Sequence, residues 1–316
     1  MPVTSTQIKD EALRLGFDAC GVCRAESVEQ HSLYLRQWLD LGKHAGMHFM
    51  QNHWDKRVNP SLLMDGAQSL IMLALNYYPA IKRDESLPRV AYFAYGKDYH
   101  LVMKNKLRQL LDFITVCGSN DGQNIRGRVF CDSAPILEKY HGYKAGIGWL
   151  GKNTQLVIEG KGSFFFLGAI LVNVELEYDK PQKDRCGTCR RCIDACPTQA
   201  LEAPHVLNAT RCLAYLTIEN KGEIPDEYAA SMGNQVYGCD LCLQVCPWNR
   251  FATPTPEAAF NPSEEFLGLN ADDLHNLPEK EFQRIFKDSA IQRAGYAGLK
   301  RNAAVCRKNQ SANRSV

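Results

Sequence analysis

This chain lacks any run of apolar residues near the roughly eighteen that a membrane-spanning helix requires. Its first residues reach Lys9, Asp10 and Glu11 before any apolar stretch and contain no twin-arginine pair, so an export signal is not expected. Charge of one sign is not in excess either, because 37 Lys and Arg face 35 Asp and Glu, for a formal net charge of +2. We therefore expect a cytoplasmic protein that avoids membranes, and any basic surface for nucleic acid must be local.

The remaining composition is that of a folded protein. Of the 316 residues, 45% are hydrophobic and 23% are charged, which excludes disorder throughout and indicates about two domains at roughly 150 residues each. A capping box at Thr4 and Gln7 begins the first helix. FDACGVC, SLIMLALNYY, VAYFAYG and FFFLGAILVNVELE have the composition of strands. Helices and strands alternate to about residue 178, which predicts a layered α/β or α+β domain.

Changes in composition divide the chain further. At YDKPQKD, charge rises and apolar residues disappear, and eight of the 13 cysteines follow between residues 185 and 250. Three prolines then predict a linker, and helical patterns continue after residue 263. We predict a domain at 1–178, a cysteine-rich domain at 179–250, and a linker with a short helical region at 251–316.

The cysteines favour metal ligation in a reducing compartment over a disulfide framework. Cys186 begins a C-x2-C-x2-C-x3-C-P run, which is the bacterial ferredoxin pattern: three cysteines ligate one [4Fe–4S] cluster and the fourth ligates its neighbour. A second run, from Cys239 to Pro247, repeats the last part of this pattern. Val236 stands where its first cysteine would be, and Cys212 is the most economical replacement.

The two runs predict two clusters that exchange one ligand each. Cluster 1 is assigned Cys186, Cys189, Cys192 and Cys246, and cluster 2 is assigned Cys196, Cys212, Cys239 and Cys242. This exchange would hold the clusters close enough for electron hopping. Two structural zinc sites are the alternative, but zinc sites usually use separated cysteine pairs rather than a triple followed by Cys-Pro.

Two other motifs have structural interpretations. Gly146 begins a G-x-G-x-x-G sequence, but a helix precedes it and a strand follows, which reverses the order of a dinucleotide-binding motif. A tight turn, or a close backbone approach to a flat ligand, is favoured. Cys20 and Cys23 lie in a strand and face opposite sides, so we interpret them as buried thiols. The same interpretation applies to the other cysteines outside the two runs: Cys117, Cys131 and Cys306.

Two acidic motifs allow more than one interpretation. Asp98 and His100 begin like the D-x-H of a corrinoid site, but Met103 replaces the glycine expected next, so an ordinary polar loop is preferred. Asp132 precedes Pro135 as at a helix start, where its role would be that of an N-cap. An acid role for Asp132 would require burial or a ligand to raise its pKa.

Several longer segments resemble the epoxyqueuosine reductase family. The matching segments are RVNPSLLMDGAQSLIMLALNYY, YGKDYH, CDSAPILEKYHGYKAGIGWLGKNTQLVI, GSFFFLG, both cysteine runs, RCLAYLTIENKGEIP and GLKRNAA, and together they cover nearly the whole chain. The resemblance implies a cobalamin-dependent enzyme that removes the epoxide oxygen of epoxyqueuosine at the wobble position of tRNA, giving queuosine and water. It implies an α+β fold: a nitroreductase-like cobalamin-binding domain, a ferredoxin-like domain with two [4Fe–4S] clusters, and a short, truncated HEAT-like helical tail.

The resemblance also assigns roles to individual residues. It implies that Asp132 in CDSAPILEK is the proton donor, and that Lys221 in ENKGEIP contacts the tRNA. The residues that it implies as cobalamin contacts are Arg57, Tyr95, Asp132, Thr154, Gln155, Leu156, Leu167, Ala214 and Asp240. An external one-electron donor such as ferredoxin or flavodoxin would supply the clusters, and the partner would be the anticodon loop of a tRNA that carries epoxyqueuosine.

Two other functions fit parts of this pattern. One is a different corrinoid and iron–sulfur reductase, such as a reductive dehalogenase. The other is an electron-transfer ferredoxin module without a substrate of its own, which leaves about 180 residues before the first cluster cysteine unexplained.

Overall fold

The computed structural model describes residues 3–120 and 122–314. The first half contains five helices or strands of eight residues or more, together with several shorter elements. Its elements are α1 (Ser5–Arg14), β1 (Ala19–Arg24), α2 (Glu29–Asp40), α3 (Trp54–Val58), β2 (Ser69–Asn76), β3 (Arg89–Val90), α4 (Tyr99–Asn120), β4 (Gly127–Phe130), α5 (Glu138–Lys144), β5 (Trp149–Leu150), β6 (Leu156–Val157) and β7 (Phe165–Val172).

The second half consists of short elements and one long terminal helix. They are α6 (Arg191–Asp194), β8 (Leu201–Ala203), β9 (Val206–Leu207), α7 (Leu213–Ile218), α8 (Asp226–Met232), β10 (Gln235–Tyr237), α9 (Leu241–Gln244), α10 (Glu264–Gly268), α11 (Ala271–Asn276), α12 (Glu279–Ile285) and α13 (Gly295–Arg314). Among the described residues, no helix is long and apolar enough to cross a membrane.

The central sheet is antiparallel, with strand order β1-β2-β7-β4. All eight residues of β2 are buried, because helices cover both faces of the sheet. On one face, α1 and α4 enclose a core around Ile71 and Ile170; on the other, α5 packs over Met72 and Ala169. The predicted first helix, its capping box and the predicted strands at β1, β2 and β7 are therefore confirmed.

The Cys20–Cys23 pair lies in β1, as predicted, and its two thiols belong to opposite faces of the sheet. Burial raises the pKa of each thiol to about 12, which makes both poor nucleophiles. Between them, Gly21 is required by packing: a Cβ there would lie 2.0 Å from the carbonyl oxygen of Ala145. This contact brings the end of α5 directly against β1.

The predicted strand at VAYFAYG is wrong beyond its first residues. Only Arg89 and Val90 form a strand, and Tyr92–Ala94 form a 3-10 turn. The backbone N–H of Tyr92 donates to the carboxylate of Asp240 at 2.7 Å. This bond, to a residue 148 positions away, diverts the chain from extended geometry.

The carboxyl-terminal helices share a core with the middle of the chain. Strand β10 pairs in parallel with β3, and α13 packs on α11 and β10. Arg83 is buried and donates to the carbonyl oxygens of Pro88, Phe266 and Leu269. These bonds attach the carboxyl-terminal helices to the segment that precedes β3.

The segment predicted as a linker packs on the first half. The backbone N–H of Thr255 donates to Tyr78, the amide of Asn76 donates to Thr253, and Phe260 is buried in the core beneath α4. The division into three domains stays a prediction.

Candidate active site and iron–sulfur sites

The four cysteines assigned to cluster 1 meet around one cavity of about 230 Å³. Cys186, Cys189 and Cys192 come from the loop before and the start of α6, and Cys246 follows α9. Each thiol is half-buried. A cavity lined by four soft sulfur donors fits an iron–sulfur cluster.

The cysteines assigned to cluster 2 also come together. Burial raises the pKa of Cys239 to about 12, with further contributions from Cys212 and Cys196. The pKa of Cys242 is raised by burial and then by Cys239 and Cys212. At these raised pKa values the sulfurs are protonated thiols, and deprotonating several of them together requires a compensating positive charge. The iron of a cluster would supply that charge, so this donor set also fits a cluster.

The two sites are neighbours. Helices α6 and α9, each of four residues, pack on one another, and Cys192 of the first set adds to the raised pKa of Cys242. In residues 3–120 and 122–314, no group of three or more His, Cys, Asp or Glu side chains is close enough to hold a single metal ion.

Asp132 lies in the loop between β4 and α5, with a left-handed φ of 57°. Its backbone N–H donates to the Glu138 carboxylate at 2.7 Å. The Tyr99 hydroxyl donates to Asp132 Oδ2 at 2.6 Å, and His100 Nε2 lies 3.4 Å from the same oxygen. The other ring nitrogen of His100, Nδ1, is 2.7 Å from Asp98 Oδ1.

The N-cap interpretation of Asp132 is wrong. Helix α5 begins at Glu138, and its N-cap position is Leu137, without a side-chain hydrogen bond. Residues 131–135 form a series of bends instead. Asp132 thus projects from an irregular loop with a side chain that is 62% exposed.

The charge state of Asp132 is set by its neighbours. The hydrogen bond from His100 lowers its pKa against the opposing effect of desolvation, and the hydrogen bond from Tyr99 lowers it further. The same contact, together with Asp98, raises the pKa of His100 to about 9. At neutral pH the proton of the pair therefore resides on His100. From the sequence, an acid role for Asp132 is expected to require a raised pKa. In the structure, its pKa is lowered instead.

Lys139 connects this loop with the second cysteine set. Its side chain is exposed, yet desolvation lowers its pKa, against the attraction of Cys242, Asp132, Glu138 and Cys212. Lys139 therefore lies between the Asp132 loop and the cysteines of cluster 2, and Asp132 and Lys139 are both exposed to solvent there. We call this solvent-exposed region between Asp132 and the cysteines of cluster 2 the cleft.

Aromatic rings form one wall between the same two ends. Tyr99 stacks on Phe166 with centroids 4.2 Å apart, and Phe166 contacts Tyr77 at 4.5 Å. Burial raises the pKa of Tyr77, and Asp240 and Cys242 raise it further. Phe166 itself is buried in the core beneath α4, so only the half-buried Tyr99 and Tyr77 could present a flat surface to a large planar ligand.

Two of the predicted cobalamin contacts, Asp240 and Arg57, are buried polar groups. Asp240 is buried beside Tyr77, and burial raises its pKa to about 6. Arg57 is buried in α3, where one terminal nitrogen donates to the Phe49 carbonyl oxygen while its Nε has no partner among the described residues. An unsatisfied buried donor indicates a missing acceptor, so these residues fit a polar cofactor.

The other predicted contacts differ in accessibility. Thr154 (φ 65°) and Gln155 form the turn between β5 and β6, and Leu156 is buried. Leu167 lies half-buried in β7, and Ala214 lies half-buried in the first turn of α7. The Tyr95 ring is only 6% exposed and packs on Phe266, so its side chain is enclosed by the carboxyl-terminal core.

Lys221 lies near the Asp132 loop through its contact with Arg293. Its ammonium donates to the carbonyl oxygen of Arg293 at 3.0 Å. The Arg293 guanidinium forms two hydrogen bonds with Glu219 and lies 5.8 Å from the exposed Phe49 ring. Asp132 contributes to the raised pKa of Arg293, after the Glu219 contact, so these groups are close to the Asp132 loop.

Sequence reasoning missed His100, Tyr99 and Lys139. The D-x-H motif was the available signal for His100, but it was interpreted as an ordinary polar loop. Tyr99 and Lys139 carry no distinctive spacing, and only the fold places them beside Asp132.

A family model described as "4Fe-4S double cluster binding domain" matches residues 185–249. A second, described as "Epoxyqueuosine reductase QueG, DUF1730", matches residues 57–133. The fold, the two cysteine sites and the adjacent cleft place the protein in the class of iron–sulfur oxidoreductases.

Curated relatives specify the family. An epoxyqueuosine reductase of Cellulophaga algicola is 45% identical over 298 residues, covering 94% of this chain and 96% of the relative. That of Leadbetterella byssophila is 43% identical over 300 residues, with 95% and 97% coverage. This chain belongs to the epoxyqueuosine reductase family and is an oxidoreductase.

Solved structures of epoxyqueuosine reductases agree with this family assignment. An epoxyqueuosine reductase crystallised with an epoxyqueuosine-modified tRNA-Tyr stem loop has a TM-score of 0.87 and 31% identity, covering 96% of this chain and 80% of that one. The epoxyqueuosine reductase from Bacillus subtilis has a TM-score of 0.88 and 30% identity, with 98% and 83% coverage. The resemblance, the α+β fold class with its double-cluster domain and the enzyme class predicted from the sequence are confirmed.

Proposed function

We propose that this enzyme reduces epoxyqueuosine to queuosine at the wobble position of a tRNA anticodon, with cobalamin and two [4Fe–4S] clusters as cofactors. Removing the epoxide oxygen as water consumes two electrons and two protons. The observation that carries the proposal is the geometry of Asp132: the Tyr99 hydroxyl donates to it at 2.6 Å, His100 lies 3.4 Å away, and Lys139 lies between its loop and the cysteines of cluster 2.

The cofactors and the protein have separate tasks. When bound, cobalamin would supply a strongly reducing, nucleophilic metal centre, and the clusters would supply stored single electrons. Asp240 and Arg57, with the residues of the 154–156 turn, Leu167 and Ala214, would hold the corrin against the aromatic wall. Tyr95 would contribute through its backbone, because its ring is enclosed by the core.

Protons would be delivered through Asp132. Opening the epoxide places negative charge on oxygen, and Asp132 is exposed to the cleft where it can donate to that oxygen. His100 would hold the proton between turnovers, because its pKa is raised to about 9 by Asp132 and Asp98. Tyr99 would orient the carboxylate through its 2.6 Å hydrogen bond.

Substrate would enter near Lys221 and Arg293. Their positive charges suit the phosphates of an anticodon loop, and the exposed Phe49 ring offers a surface for an unstacked base. Electrons would enter from an external one-electron donor such as ferredoxin or flavodoxin. Cluster 1 is the proposed entry point, since its four cysteines line an open cavity.

The test is turnover of an epoxyqueuosine-containing anticodon stem loop by the anaerobically reconstituted enzyme with cobalamin. Asp132→Asn should bind cobalamin and RNA normally but lose at least about 100-fold in turnover, the usual contribution of a positioned acid. Asp112→Asn, an exposed change on α4, is the matched control. Near-normal turnover by Asp132→Asn would remove this residue from the mechanism. Failure of the wild-type enzyme to bind cobalamin would overturn the proposed chemistry.

A further inference from the structure

The segment Trp149–Asn153 lies against the cluster 1 cysteines, although it is distant from them in sequence. Gly151, Lys152 and Asn153 line the same cavity as the four thiols. A Cβ at Gly151 would lie 2.8 Å from the side-chain oxygen of Asn153 and 3.0 Å from Val157, so the glycine suits the tight turn between β5 and β6. The segment therefore places a compact turn beside the cysteine loop.

Lys152 fixes the position of this turn. Its ammonium donates to the carbonyl oxygens of Gly187 at 2.6 Å and Cys189 at 2.8 Å. These carbonyls belong to the loop that carries the first two cluster 1 cysteines. The bonds therefore hold that loop in register with the segment Trp149–Asn153.

Trp149 supplies a donor that has no acceptor. The side chain is 1% exposed, and its indole Nε1 has no hydrogen-bond partner among the described residues. A buried N–H without an acceptor costs free energy comparable to a lost hydrogen bond, so native structures rarely contain one. The ring packs edge-on against Trp248 with centroids 4.8 Å apart, beside Cys246.

The cluster 1 cavity adjoins this unpaired donor. Trp248, against which the Trp149 ring packs, lines that cavity with the four cysteines, and so does Val157, which pairs with Trp149 between β5 and β6. A sulfur of cluster 1 is therefore the acceptor that the position of the indole suits.

We propose that the indole N–H of Trp149 donates a hydrogen bond to a sulfur of cluster 1 and thereby raises the reduction potential of that cluster. Reduction adds negative charge to the cluster and its sulfurs, and a hydrogen bond to a sulfur stabilises the more negative form. This hydrogen bond would therefore make cluster 1 easier to reduce by the external electron donor. This inference rests on the proposed assignment of two clusters, but not on the identity of the substrate.

Trp149→Phe tests the proposal, because it keeps an aromatic ring and removes the N–H. Redox titration of the anaerobic protein with both clusters, followed by electron paramagnetic resonance, should show one midpoint moving to lower potential and the other unchanged. A tenfold weaker reduction equilibrium would appear as a shift of about 59 mV for a one-electron couple. Trp54→Phe, where the ring instead stacks on Arg36, should leave both midpoints in place. Full iron content with unchanged midpoints in Trp149→Phe would overturn the proposal.

A second measurement covers the case in which Trp149→Phe loses iron. In protein with Trp248→Phe and ¹⁵N-labelled tryptophan, pulsed electron paramagnetic resonance should detect one indole ¹⁵N coupled to a reduced cluster. The donating proton should exchange in D₂O. Absence of this coupling in a protein with full iron would contradict the hydrogen bond directly. Neither experiment involves cobalamin or RNA, so their outcome is independent of whether the enzyme reduces epoxyqueuosine.

Discussion

Replacing His100 with Gln separates proton storage from proton delivery. Gln keeps a side chain that can hydrogen bond to Asp132, but it cannot hold the proton that the Asp132–His100 pair shares. In the wild type, Asp132 and Asp98 raise the pKa of His100 from its ordinary 6.5 to about 9. We expect the turnover of His100→Gln to fall by about 10²- to 10⁴-fold, the range attributed to general acid–base catalysis.

The raised pKa of His100 also contributes to the free energy of unfolding. A pKa raised from 6.5 to about 9 corresponds to at most roughly 3 kcal/mol at about 1.36 kcal/mol per pH unit. Because the Asp132 side chain is 62% exposed, solvent screening reduces this to about 1–2 kcal/mol. A raised His pKa stabilises the fold fully below pH 6.5, and the contribution disappears as the pH rises through about 9. The difference in unfolding temperature between wild type and His100→Gln should therefore shrink above that pH.

The assay is single-turnover conversion of an epoxyqueuosine-containing stem loop across pH 6–10, with dithionite as reductant and product measured by mass spectrometry. The wild-type rate should decline as the pH passes about 9, and His100→Gln should lack that decline. His53→Asn, a change at an exposed histidine, controls for loss of a histidine in general. A His100→Gln enzyme with the wild-type rate and pH profile would refute proton storage at this position.

Three further changes test other parts of the structure. Cys246→Ser and Cys212→Ser should each remove about half of the iron, since each disables one cluster. Stoichiometric zinc and no visible absorption in the wild type would contradict the assignment of both cysteine sets to [4Fe–4S] clusters. Asn302→Ala should destabilise the fold by about 2–4 kcal/mol in chemical denaturation, because the buried Asn302 amide donates to two main-chain carbonyls at 2.8 and 2.9 Å; a change below 0.5 kcal/mol would argue against this anchor. Reversing the exposed charges of Arg191 and Arg250 should slow reduction of the clusters by an acidic protein donor about tenfold at low salt. Reduction by dithionite should be unchanged. Equal slowing with both reductants would exclude a role for these arginines in docking the protein donor.

Asp132 shows that a sequence motif can identify a functional residue without revealing its protonation state. The resemblance carried by the CDSAPILEK segment implies that this carboxylate is the proton donor, and that role stays a prediction. Its protonation depends on His100 and Tyr99, which contribute through space from the start of α4. Spacing within one loop carries no information about those contacts, so the proton's location on His100 could not be predicted.

The segment Trp149–Asn153 shows the same limit for a cofactor site. Its glycines predict a tight turn or a close backbone approach to a flat ligand, and the structure places Gly151 in a tight turn. That this turn lines the cluster 1 cavity depends on how the cysteine-rich region folds back on the first half of the chain.

The sequence by itself determined the features that depend on short covalent reach or on periodicity. The cysteine spacings specify two cluster sites, since a loop with two-residue gaps can bind three corners of one cluster. Continuous apolar runs specify β2 and β7, because strands covered on both faces need apolar side chains on both. The tertiary structure alone decided the shortened strand at Arg89–Val90, the packed segment at 252–263, and the charge of the Asp132–His100 pair. Each of these depends on partners far apart in sequence, whose proximity arises only when the two halves of the chain pack together.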